Sequence, residues 1–340
     1  MGAGFSGPED ADPAPVAHGG DLDGARTLFP QAPEPWLDLS TGINPVPYPL
    51  PPFEASALAR LPSAADLCAL KVVAAAAYGV DGPESVVAAP GTQILIETLP
   101  RLTPPGRVAV VGPTYAEHAA AWARGGHRVA IVPELTSADT DVVVVVSPNN
   151  PDGRVHTADA LREVAGTLAR RGGLLVLDQA FSDLEEGQAH FPDLPQNLVV
   201  LRSFGKTYGL AGLRLGFALA EPGRAARIEA ALGPWAVSGP AITAGRLALA
   251  DGAWREEARL ARGRDAARLD RMIARAGGRV VGGTVLFRTA DFSDGPGLFR
   301  RLGEAGIYVR RFAEAPARLR FGLPATKADW CRLSRILKPA

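Results

Sequence analysis

Short runs of β-branched and aliphatic residues recur between Ser85 and Ala220, in the order SVVAAP, RVAVVGP, HRVAIVP, DVVVVVSP, GLLVLDQA, NLVVLRSF and LGFALA. Each has the length and composition of a strand and is followed by Gly, Pro or polar residues. The stretches between them carry helical periodicity. In HTADALREVAGTLARRGG, Thr157 stands where a helix is capped, Leu161, Val164 and Leu168 share a face, and Gly172 and Gly173 follow the end. Strand and helix in alternation predict an α/β architecture whose central sheet is mostly parallel and covered on both faces. The valines of DVVVVVS, Asp141 to Ser147, fit a strand buried on both sides and are too few to span a bilayer.

After about Leu232 the rhythm changes. Arg/Ala-rich helical stretches are followed by GGTVLFRT, AGIYVRR and ARLRFGLP, which predict a second, smaller α+β unit. The expected organisation is a loose tail over 1–17, a strip over 18–47 that joins the small domain, a large domain over 48–232 and a small domain over 233–340. The Pro-rich stretch from Thr41 to Pro52 bridges strip and large domain, and no internal repeat is present. The tail, rich in Ala, Pro, Gly and acids, lacks the basic start and apolar centre of a signal peptide.

A chain of 340 residues that is 47% hydrophobic can bury a large core and accommodates two domains. Its 36 Lys plus Arg are balanced by 36 Asp plus Glu, and no basic stripe is visible, so a nucleic-acid partner is not expected and a small ligand is. Cys68 and Cys331 are too few and too far apart for a disulfide framework or a zinc site. They read as ordinary thiols of a cytoplasmic protein with no metal and no membrane partner.

Polar residues and glycines cluster at the predicted strand ends, where ligands collect in open α/β sheets: APGTQ, GPTY, SPNNPDG, DQAF and SFGK. Singly, each has an ordinary explanation. Asp178 can cap a following helix, Asn150 belongs to a turn composition, Thr92 and Ser203 can be caps, Tyr115 can be core and Lys206 a solvated loop lysine. Together they meet the needs of pyridoxal phosphate: an amine, a carboxylate for the ring nitrogen, a donor for the phenolic oxygen, a flat group to stack and a cradle for the phosphate. The turn amides of Gly91, Thr92 and Gln93, opening a helix at ILIETL, make an anion site. Gly91 lets the backbone approach closely, and Arg214 adds a charged fork.

SPNNPDG, LVLDQAF, SFGKTYGLAGLRLGF and LRFGLP, in this order and spacing, resemble the class I/II aminotransferase group of fold-type I pyridoxal phosphate enzymes over nearly the whole chain. The resemblance implies that Lys206 forms the imine with the cofactor, Asp178 partners the pyridine nitrogen, Asn150 donates to the phenolic oxygen and Tyr115 stacks on the ring. It also implies that Ser203, Arg214 and the amides of residues 91–93 hold the cofactor phosphate, and that Arg320 meets the substrate α-carboxylate. Two positions depart from the pattern. Phe181 replaces the tyrosine of a D-E-A-Y motif, and Leu61 with Pro62 replaces a Y-P pair whose hydroxyl reaches the neighbouring subunit's phosphate. A homodimer remains the family expectation.

HGGDLDGARTLFP followed by WLDLSTGINPVPYP is similar to the opening of the threonine-phosphate decarboxylase branch, which serves cobalamin biosynthesis. This resemblance implies that His18 and Asn44 belong to the substrate site and that Arg310, with Arg311 as its neighbour, meets the substrate phosphate. The expected reaction is decarboxylation of L-threonine O-3-phosphate. An aminotransferase of the histidinol-phosphate type and a catalytically idle cofactor-binding subunit are the alternatives.

Overall fold

Each of the seven apolar runs forms a strand in the computed structural model, which describes residues 18–338. The tail expected over 1–17 lies outside the described residues. In chain order the strands are β1 (Leu37–Leu39), β2 (Val86–Ala89), β3 (Arg107–Val111), β4 (Arg128–Val132), β5 (Val142–Val146) and β6 (Leu174–Asp178). They continue with β7 (Leu198–Ser203), β8 (Gly216–Ala220), β9 (Arg279–Thr284), β10 (Phe287–Asp291), β11 (Ile307–Arg311) and β12 (Arg318–Gly322).

The larger sheet has the order β2-β8-β7-β6-β5-β3-β4. Only β8 runs against its neighbours, β2 and β7. The valine run, β5, lies between β6 and β3, and its alternate residues enter different apolar clusters. Val143 and Val145 pack with Leu161, Val164 and Leu168, whereas Val142 and Val144 pack with Leu95, Leu99 and Trp122. A strand covered on both faces needs apolar residues at every position, which is why its sequence shows no alternation. The crossover from β5 to β6 is the helix Ala158–Ala169. It is capped by Thr157, whose hydroxyl oxygen accepts from the Ala160 amide at 3.2 Å, and it buries Leu161, Val164 and Leu168.

The smaller sheet has the order β1-β11-β12-β10-β9. β1 pairs with β11 in parallel and the remaining pairs are antiparallel. Its core gathers Leu269, Ile273, Leu302, Val309, Phe321 and Leu333. The chain divides into two compact units. Within the described residues, one comprises Tyr48–Asn150 and Val155–Arg255, and the other residues 18–47, Pro151–Arg154 and residues 256–338. Cys68 and Cys331 are exposed free thiols. Among the described residues, no helix is long and apolar enough to cross a membrane.

Candidate active site

In the first unit the carboxyl ends of β5, β6 and β7 are brought level by the sheet register, with Val146 opposite Asp178 and Asp178 opposite Leu201. Asp178 is the last residue of β6 and is buried. No helix follows it directly. One carboxylate oxygen accepts from the Ala180 amide at 2.9 Å and the other lies 2.8 Å from His118 Nε2. Two effects oppose each other at this carboxyl. Burial raises its pKa, while the hydrogen bond and charge of His118, the charge of Lys206 and the Ala180 amide lower it, and the lowering prevails.

His118 was not singled out from the sequence. It is fully buried on the helix Glu117–Arg124, with its ring edge-on to Tyr115 at 6.1 Å between centroids. The available signal was a histidine three residues beyond Tyr115 in an otherwise alanine-rich helix.

Lys206 lies on the one-turn helix Phe204–Thr207 directly after β7. Its ammonium sits 5.1 Å from the centroid of the Phe181 ring, so the residue that departs from the D-E-A-Y pattern puts an aromatic face against the amine. Asn150 lies in the turn after β5. The preceding Asn149 is buried and anchors this turn: its side-chain oxygen accepts from Thr114 Oγ1 at 2.6 Å and its Nδ2 donates to the Pro113 carbonyl at 2.9 Å.

The opposite wall is the start of the helix Thr92–Leu102. Gly91 precedes it with φ of +83°, a backbone that only glycine adopts readily. A β-carbon at Gly91 would stand 2.5 Å from Arg214 Nη2, and one at Gly216 would stand 2.7 Å from the Thr92 amide nitrogen. The two glycines therefore let a guanidinium and a strand approach the opening amides of the helix. Arg214 itself has φ of +52°, a left-handed conformation that costs a non-glycine residue energy, and its Nη1 donates to the Ala211 carbonyl at 3.3 Å. Ser203 is buried opposite Gly216 in the register of β7 and β8. Tyr115 donates from its hydroxyl to Gln93 Oε1 at 3.1 Å, tying its ring to the same helix. The first unit thus brings together Gly91, Thr92, Gln93, Tyr115, Asp178, Ser203, Lys206 and Arg214 around the strand ends.

His18, Asn44, Arg310 and Arg320 belong to the second unit. Arg310 on β11 and Arg320 on β12 are direct register partners. β12 is an inner strand, and Arg320 is buried, with its Nη2 donating to the Ser40 carbonyl at 2.6 Å. Burial, then the neighbouring charge of Arg310, push its pKa down to about 10 against the opposing charge of Asp38. Ser40 also holds the HGG turn. Its Oγ accepts from the Gly20 amide at 2.7 Å, and a β-carbon at Gly19 would overlap its carbonyl oxygen. His18, at the start of that turn, is exposed. Asn44 is buried, with its side-chain oxygen accepting from the Val46 amide and from Arg262 Nη1, each at 3.1 Å.

Comparison with known proteins places this arrangement in context. Residues 69–332 match the family model for aminotransferase class I and II. A threonine-phosphate decarboxylase of Pseudomonas aeruginosa is 42% identical over 333 residues, 95% of this chain and 97% of that protein. A solved histidinol-phosphate aminotransferase from Sinorhizobium meliloti, in complex with pyridoxal-5'-phosphate, superposes with a TM-score of 0.80 at 21% identity over 93% of each chain. The L-threonine-O-3-phosphate decarboxylase of Porphyromonas gingivalis superposes with a TM-score of 0.73 at 20% identity, covering 88% of this chain and 98% of that one. At such identities the structural likeness speaks to the fold, and the family match together with the 42% identity settles the kinship: this chain belongs to the class I and II aminotransferase family.

Proposed function

We propose that this protein is a pyridoxal 5'-phosphate-dependent decarboxylase that converts L-threonine O-3-phosphate to carbon dioxide and (R)-1-aminopropan-2-yl phosphate, in the cytoplasm and in the service of cobalamin biosynthesis. The cofactor fits the residues present. A buried carboxylate held in its charged form, an amine nearby and a glycine cradle beside a guanidinium match a ring nitrogen, an aldehyde and a phosphate in turn. Lys206 would hold the aldehyde carbon, Asp178 the ring nitrogen, Asn150 the phenolic oxygen and Tyr115 a ring face. Ser203, Arg214 and the amides of residues 91–93 would hold the phosphate. When bound, the cofactor supplies an electron-accepting ring.

The observation that carries the substrate is the Arg310–Arg320 pair. Two arginines opposite each other on neighbouring strands repel, and one of them is buried, so a ligand with two anionic groups would offset the repulsion. An amino acid bearing a phosphate has both. Arg320 takes the carboxylate and Arg310 the phosphate, with His18 and Asn44 completing that end. A charged Asp178 would keep the ring nitrogen protonated and so favour its electron-accepting form. Arg320 would orient the substrate carboxylate, on which the choice of Cα bond depends. Lys206 Nζ would hold the proton that Cα receives.

Two copies form the working enzyme in this reading. Leu61 and Trp235 are well exposed large apolar residues, and Trp235 and Pro62 line a cavity of about 240 Å³ with Leu67 and Leu232, a surface suited to a second copy. A monomer in sedimentation at micromolar concentration would remove the dimer. The activity is tested by incubating cofactor-loaded protein with threonine phosphate, with and without 2-oxoglutarate. Carbon dioxide release that needs no 2-oxoglutarate supports the decarboxylase. Glutamate formation from histidinol phosphate, with threonine phosphate left intact, replaces it by an aminotransferase.

A further inference from the structure

Beside Lys206 and Asp178 lies a set of side chains to which the proposed reaction gives no role. Arg202, one residue before Ser203 on β7, is largely buried, and its Nη2 meets Asp183 Oδ1 at 2.5 Å. Its Nη1 donates to Gln179 Oε1 at 2.9 Å, and its guanidinium lies over the Tyr78 ring, 4.6 Å from the centroid. The other oxygen of the Asp183 carboxylate accepts from Thr207 Oγ1 at 3.2 Å. Gln179 Nε2 donates in turn to the Ala189 carbonyl at 2.8 Å. Arg202 is therefore bonded to the chain neighbour of Asp178, and Asp183 to the chain neighbour of Lys206.

The far side of the lysine turn is closed by aromatic rings. Phe204 and Tyr208 stack at 4.5 Å between centroids, and Tyr208 stacks on Trp254 at 5.4 Å. The Tyr208 carbonyl accepts from the Tyr48 amide at 2.8 Å. The short helix that carries Lys206 is thus pressed between a rigid aromatic stack and a charged bond to the 179–183 segment. A largely buried ion pair is a poor source of stability, because desolvation offsets its attraction and apolar packing of similar volume serves as well. What it supplies is fixed direction: a guanidinium fork and a two-oxygen acceptor meet in few geometries. Gln179 suits this place better than the glutamate of the D-E-A-Y pattern, since a carboxylate oxygen would face the Ala189 carbonyl where Nε2 now donates.

We propose that Arg202, Asp183, Gln179 and Thr207 form a positioning clamp that sets Lys206 Nζ relative to the Asp178 carboxylate. The inference rests on the reading that Lys206 and Asp178 serve the cofactor. The clamp acts through Gln179 and Thr207, the chain neighbours of these two groups.

Thr207→Val removes the hydroxyl that reaches Asp183 at nearly constant volume, and Thr207→Ser keeps it. Arg202→Lys keeps the charge and loses the fork. Four quantities are read: the melting temperature of cofactor-free protein, the pH midpoint of visible absorbance of loaded protein, and kcat and KM for threonine phosphate. Thr207→Val is expected to move the midpoint and lower kcat about three- to tenfold, with KM and melting temperature close to the parent. Thr207→Ser should restore both quantities, and Arg202→Lys should move them in the same direction as Thr207→Val. The clamp is overturned if Thr207→Val and Arg202→Lys change only the melting temperature, or if serine is no better than valine at 207. Should Thr207→Val fail to fold, Arg202→Lys decides by the same criteria. Failure of the underlying reading is separate, because it appears as cofactor colour surviving the loss of Lys206.

Discussion

Arg310 and Arg320 face each other across β11 and β12, and the buried member of the pair, Arg320, has its pKa pushed down to about 10 by burial and then by its neighbour's charge. The folded state therefore holds this proton less tightly than the unfolded chain. Charged Arg320 weakens the fold at every pH below about 10, and the penalty is relieved only as pH rises through that value. An anion beside the pair has the same effect at neutral pH. We expect inorganic phosphate to raise the melting temperature of cofactor-free protein. Arg320→Met should melt no lower than the parent, with a gain of up to about 3 kcal/mol, while losing turnover. A marked drop in melting temperature would show that the buried guanidinium is a structural group.

The proposed division of labour between the two arginines predicts a specificity change. Plain threonine lacks the phosphate and should be a poor substrate, because a charge-assisted contact is worth roughly 2–4 kcal/mol in the transition state, or about thirty- to a thousandfold in kcat/KM. Arg310→Ala should narrow the gap between threonine phosphate and threonine. Arg320→Ala should harm both about equally. Equal losses on the two substrates in Arg310→Ala would take the phosphate away from Arg310.

Lys206→Ala is expected to abolish the visible absorbance that survives dialysis and is fixed by borohydride. The ammonium lies against the Phe181 ring and its charge acts on Asp178, so other lysines of the chain cannot replace it at this position. Peptide mapping of borohydride-treated parent protein should place the modification on Lys206. A modified peptide from elsewhere in the chain would overturn the assignment.

The larger sheet was legible because its signals are local. Every β5 residue is buried and every β5 residue is valine, and Thr157 caps the helix that its spacing predicts. Lys206, Asp178 and Arg214 were legible through the company they keep in the motifs, not through any property of their own. What the sequence did not disclose is pairwise. The partnership of His118 with Asp178 joins residues 60 apart, and that of Arg202 with Asp183 spans a loop whose path no periodicity describes. The bond from the Ser40 carbonyl to Arg320 spans 280 residues. Likewise Gly19 and Gly91 look alike on the page. One makes room for a carbonyl and the other for a guanidinium, a distinction that depends on what the fold brings opposite.

The His118–Asp178 contact leads to a prediction about pH. Burial alone raises the Asp178 carboxyl pKa, and it is the imidazole, with Lys206 and the Ala180 amide, that brings it below the ordinary value. A depressed pKa means that this carboxylate contributes stability above the unfolded value of about 3.9, and that the contribution is lost as pH falls through the folded value. Removing His118 takes away the largest of the lowering influences, so burial regains weight and the carboxyl pKa rises. His118→Phe, which keeps an aromatic ring against Tyr115, is therefore expected to shift the acid limb of the kcat profile to higher pH. It should also reduce kcat at neutral pH by about tenfold or more, the effect of losing a hydrogen bond to a charged group. Asp178→Asn should retain the cofactor yet lose turnover by orders of magnitude at all pH values, with no acid limb left to shift. The two variants separate the roles. If His118→Phe lowers kcat but leaves the acid limb where it was, then His118 serves packing and Asp178 is held charged by Lys206 and the backbone alone.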